Sequence, residues 1–160
     1  MWTVIRLCTD EKEVQHFYNS LDFQLEISLE CLDDIMDEAK EVYKHNPWIT
    51  YSQPLHRLRE LGYHDRLFDL IDERPLTLSE VRSFCCFIFG LKVDGPENST
   101  LPDPAVYPDA FLRLVETYLD KEQLQYNPIK KTMTPWFIEQ DMKKLFGVRK
   151  RDKLISKLKK

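Results

Sequence analysis

This chain has little of what most functional classes require. Its 160 residues include four glycines and four cysteines. No glycine-rich phosphate loop and no glycine-flanked serine elbow occurs in the sequence. Cys8, Cys31, Cys85 and Cys86 lack the close pairing that zinc sites use, and adjacent Cys85 and Cys86 cannot both face one ion from a helix. They read as small buried apolar groups of a reducing compartment. No apolar run approaches the roughly 18–20 residues that cross a bilayer. The richest, Phe84 to Leu91, suits a buried helix. Met1-Trp2-Thr3-Val4 has no basic region leading into an apolar stretch, so no secretory signal is expected. Without that route the acceptor pattern Asn98-Ser99-Thr100 carries no meaning, and the expected location is the cytoplasm.

What is present is a globular composition, 42% hydrophobic and 31% charged, with nine prolines set between apolar periodic runs. The pattern predicts a mainly α domain over residues 1–160, with a small two-stranded, parallel β element near the N-terminus. Any subdivision falls at the loop Val93 to Val106, separating an acidic part (1–92) from a helical extension (107–160) that ends in a basic tail. Trp2 to Cys8 reads as a strand. Thr9 or Asp10 can cap a helix with Val14, Phe17, Tyr18 and Leu21, Asp10 and Glu13 having capping-box spacing, and Phe23, Leu25 and Ile27 suggest the second strand.

From Leu32 to Tyr43 the apolar spacing is helical, and Asn46-Pro47 ends the run. Helices are expected from Pro54 to Leu61, stopped by Gly62, and from His64 to Glu73. Thr77-Leu78-Ser79-Glu80 is a capping box opening the most apolar helix, and Pro108 opens the next. Gln123 to Met133 reads as irregular, and Thr134-Pro135 as the start of a last helix through Phe146, closed by Gly147.

Charge is unevenly divided. Residues 1–120 hold 11 Lys and Arg against 23 Asp and Glu, whereas residues 121–160 hold 12 against 4. Asp33, Asp34, Asp37, Glu38 and Glu41 form an acidic run without the turn glycine of a calcium loop, so they read as the solvated face of an amphipathic helix. They are the candidate contacts for a protein partner. The basic segment 143–160, with Lys150, Arg151 and Lys153 as its candidate contacts, carries an apolar stripe of Leu154, Ile155 and Leu158. Such a segment packs on its own acidic body, docks into a partner, or binds nucleic acid or an anionic membrane surface. His16, His45, His56 and His64 have no metal-ligand spacing, and no partner for acid–base work is identifiable beside His56. No catalytic, cofactor-binding or metal-binding residue is assigned, and no cofactor is expected.

Thr3-Val4-Ile5-Arg6-Leu7-Cys8-Thr9-Asp10-Glu11, then Phe17-Tyr18-Asn19, resembles a passage of proteins with a von Willebrand factor A-like domain. The similarity continues through Leu32-Asp33-Asp34, Asn46-Pro47-Trp48, Pro54-Leu55-His56-Arg57 and Leu70-Ile71-Asp72-Glu73-Arg74, so it covers residues 2–77. It implies the C-terminal portion of a doubly wound fold that binds protein partners through a divalent ion. The Asp-x-Ser-x-Ser ion motif of that family is missing, so no site residue carries over. The expected function is non-enzymatic protein–protein interaction, the acidic body receiving a basic partner. The alternatives are nucleic-acid binding through the basic C-terminal helix and an unrecognised hydrolase.

Overall fold

The computed structural model describes residues 3–9, 11–24, 29–94 and 100–146. The β-branched residues at the N-terminus form strand β1 (Thr3–Arg6), followed by helix α1 (Lys12–Gln24) and strand β2 (Leu29–Leu32). The strands pair in parallel, Thr3 opposite Leu29 and Arg6 opposite Leu32, and the Leu7 N–H extends the ladder to the Leu32 carbonyl at 2.8 Å. The parallel element is therefore where the sequence puts it, but its second strand lies later than Phe23. A parallel partner requires the chain to return to the starting end of the sheet. Helix α1 makes that return and still contains Phe23, while residues 25–28 lie outside the described segments. Asp10 lies outside them too, and the Glu11 N–H donates to Thr9 Oγ1 at 3.2 Å.

Leu32 ends β2 rather than opening a helix, because Asp34 sets the start of α2 (Ile35–His45). Its Oδ1 accepts from the N–H groups of Met36 and Asp37 at 2.7 and 3.1 Å. Helices α3 (Gln53–Glu60), α4 (Arg66–Glu73), α5 (Leu78–Ile88), α6 (Pro108–Leu119) and α7 (Glu139–Leu145) follow. Among the described residues this makes seven helices, 52% of the structure. Gly62, at φ 75°, turns the chain out of α3 in the left-handed conformation that glycine adopts without a Cβ penalty. The box that opens α5 is closed from both sides: Glu80 N–H donates to Thr77 Oγ1, and Thr77 N–H donates to Glu80 Oε2.

The segment read as irregular contains an antiparallel hairpin, β3 (Gln125–Asn127) with β4 (Thr132–Thr134). Strands of three mostly polar residues are too short to show alternation. Their turn is set by Asn127, whose Oδ1 accepts from Ile129 and Lys130 N–H at 3.0 Å each. Thr134 ends β4 instead of starting a helix. The residues after it are committed to a ladder with the segment behind α2: Thr50 N–H donates to the Trp136 carbonyl at 2.9 Å and Ile138 N–H to that of Trp48 at 2.7 Å. Helix α7 can begin only beyond this pairing.

One contiguous apolar cluster runs from Ala39 in α2 to Met142 in α7 and includes Leu101 within the 93–106 loop and Phe111 and Val115 beyond it. Trp48 lies at its centre, 5.3 Å from the Phe137 ring and 6.0 Å from that of Phe84. Cys85 and Cys86 are fully buried here, and burial pushes the Cys85 thiol pKa up. Asn46, also buried, ties α2 to the α4–α5 connection. Its Nδ2 donates to the Ile71 and Arg74 carbonyls at 2.8 Å each, and its Oδ1 accepts from Leu76 N–H at 3.0 Å. Leu7 and Leu32 are buried as well but stand outside this cluster. No helix among the described residues is long and apolar enough to cross a membrane.

Candidate partner-binding face

Helices α2 and α4 pack side by side and bring two acidic sequences together. On α2 and its lead-in lie Asp33, Asp34, Asp37 and Glu41; on α4 and its cap lie Asp65, Asp69 and Asp72. Partial burial, with Asp37 and Asp34 nearby, raises the pKa of Asp33 against the opposing pull of Lys12. Burial raises Glu41 too, and Asp72 and Asp33 add to it. Asp69 rises through burial, reinforced by Asp72 and Asp65 and opposed by His64 and Arg59. Asp37 goes the other way, because Lys40 bonds it at 2.5 Å. The face is thus a set of carboxylates in which partial burial, reinforced by mutual repulsion, holds Asp33, Glu41 and Asp69 above their ordinary range.

Glu38 does not belong to that solvated face. It is 4% exposed, and its Oε2 accepts from Arg59 Nη1 at 2.6 Å while its Oε1 accepts from the Asp33 N–H at 2.9 Å. Arg59 Nη2 reaches Asp72 Oδ2 at 2.8 Å. One buried guanidinium therefore braces α2 against α4 from beneath. Desolvation outweighs that pairing and lifts the Glu38 pKa to about 7.

The same layer continues sideways. Arg59 Nη1 also lies 3.4 Å from the Tyr51 hydroxyl, which is 3.2 Å from His56 Nδ1. His56 Nε2 faces Glu60 Oε1 at 3.4 Å, and Glu60 in turn pairs with Arg6 of β1 at 2.7 Å and Arg57 at 2.6 Å. The carboxylate partner that the sequence did not identify for His56 is therefore Glu60, one helical turn on. The His56 side chain is only 1% exposed, so the pair is a packing contact within the fold rather than a group presented to solvent. Desolvation lowers its pKa, Glu60 opposes that, and Arg6, Arg59 and Arg57 add to it, so the site favours the neutral imidazole. Burial likewise pushes the Tyr51 phenol up. Among the described residues no three metal-ligating side chains converge.

Of the residues that the sequence nominates, the structure gathers Asp33, Asp34, Asp37 and Glu41 at one face and places Glu38 below it; Lys150, Arg151 and Lys153 lie outside the described residues. Sequence reasoning missed Arg59 and Asp72. The readable signal for Arg59 was its place four residues after Leu55, on the apolar side of α3.

Comparison with family models, curated proteins and solved structures finds no match.

Proposed function

We propose that the chain is a non-enzymatic protein-interaction module of the cytoplasm whose α2–α4 face receives a basic protein partner. The observation that carries this reading is the packing of α2 against α4, which sets the carboxylates of Asp33 and Glu41 beside those of Asp69 and Asp72; partial burial first, and neighbouring carboxylates second, hold Asp33, Glu41 and Asp69 above the ordinary carboxylate range. A cationic partner relieves that repulsion, and charge complementarity also speeds and orients the encounter. Asp34 and Asp37 extend the surface, while Glu38, Arg59 and Asp72 give it a fixed backing. The von Willebrand factor A-like resemblance of residues 2–77 enters as part of the same proposal, as a partner-binding role exercised without the ion.

The test is capture from native lysate by the full chain beside its Asp37→Asn/Glu41→Gln/Asp69→Asn variant, with and without nuclease. A basic protein retained by the first, lost by the second and indifferent to nuclease is the expected result. Capture that disappears with nuclease contradicts the reading and favours nucleic acid bound through residues 143–160.

A further inference from the structure

A groove of about 410 Å³ opens between the C-terminal half of α6 and the first turn of α7. Leu119 and Ile138 give it an apolar floor above buried Phe137, Glu116, Asp120 and Glu139 supply carboxylates at its walls, and Lys130 adds one cation. These walls already hold an ammonium group: Lys143 Nζ sits 3.5 Å from Glu116 Oε1 and bonds Glu139.

The sequence that follows α7 is complementary in both respects. Residues 147–160 carry seven Lys and Arg against Asp152 alone, with Leu154, Ile155 and Leu158 spaced as a stripe. Phe146, from which this segment departs, packs against Phe111 of α6 with ring centroids 5.6 Å apart. Helix α7 is about 10 Å long at 1.5 Å per residue, so its last residue lies about that far from the groove-lining first turn. Gly147 is the residue type that most easily reverses a chain. The eight residues from Phe146 to Leu154 span up to about 26 Å, ample for the return.

We infer that this groove is the docking site of the chain's own basic segment, residues 150–158. Leu154, Ile155 and Leu158 cover the apolar floor, while Lys150, Arg151 and Lys153 meet the walls, Asp120 above all. A short tether holds the segment at an effective concentration on the order of millimolar, so it occupies the groove ahead of any weak external basic peptide. The inference stands on the groove and not on the α2–α4 face, so its failure leaves the proposed function untouched.

Zero-length carbodiimide cross-linking of the dilute full chain, mapped by peptide mass spectrometry, tests it. The expected products are intrachain links from Lys150 or Lys153 to Asp120, Glu116 or Glu139. They should disappear in ~0.5 M salt. In a full-length Leu154→Ser/Ile155→Ser/Leu158→Ser variant they should fall about fivefold or more, since the apolar contact is lost while every amine remains. The inference is overturned by links from the segment to Asp33, Glu41 or Asp69, by links only between chains, by an unchanged yield in the serine variant, or by no link at all.

Discussion

The helical body and the N-terminal β1–α1–β2 unit are held in different ways. The body shares one aromatic core in which Trp48, Phe68, Phe84 and Phe137 are all buried. The N-terminal unit buries Leu7 and Leu32 apart from that core and is tied to the body by the ion pairs Arg6 to Glu60 and Lys12 to Asp37. Apolar packing is non-directional and adds up with area, whereas an ion pair needs its geometry and loses strength in salt. Helix α2 belongs to both regimes. It carries the acidic face outward, presents Ala39 and Val42 to the core, and uses Glu38 to join the two.

The largest effect should come from the body. Trp48→Ala removes the side chain at the centre of the aromatic cluster, and denaturant unfolding should show a loss of about 4 kcal/mol. Arg59→Met comes next: it strands Glu38 and Asp72 without their guanidinium, an expected cost of about 3 kcal/mol. A loss below about 1 kcal/mol would mean that the two carboxylates find other partners.

Glu38 sharpens the comparison through pH. Its folded pKa lies above its unfolded one, so the stability it adds is fully present below about pH 4.5 and is lost as pH rises through about 7. The amount is about 3 kcal/mol, and Glu38→Gln should flatten that part of the stability–pH curve. The smallest global effect should be that of Arg6→Ala, below about 1 kcal/mol because the Arg6 side chain is half exposed. Its signature is local: faster amide exchange in β1 and β2 with α5 unchanged. Equal acceleration in α5 would show that the N-terminal unit and the body open together.

The mainly helical architecture and its parallel N-terminal pair were legible in apolar periodicity, in caps such as Thr77 with Glu80, and in Gly62. The hairpin was not, because three-residue strands leave no period to read and the turn depends on the Asn127 side chain. The candidate face was half legible. The run from Asp33 to Glu41 is local in sequence, whereas its continuation on α4 and the Arg59 brace arise from long-range packing. Glu38 shares the charge of its neighbours, and only the helix phase, four residues before buried Val42, turns it inward.

On the proposed reading, the carboxylates gathered on α2 and α4 hold a basic partner. With the captured partner in hand, the most direct measurement is its affinity for the full chain and for the Asp37→Asn/Glu41→Gln/Asp69→Asn variant at low and moderate salt. The variant should lose at least about tenfold in affinity at low salt, a gap that narrows as salt rises, while staying folded, because the repulsion relieved at Glu41 and Asp69 offsets the Lys40 and Lys12 pairs lost at Asp37. Equal affinity in a folded variant would contradict it.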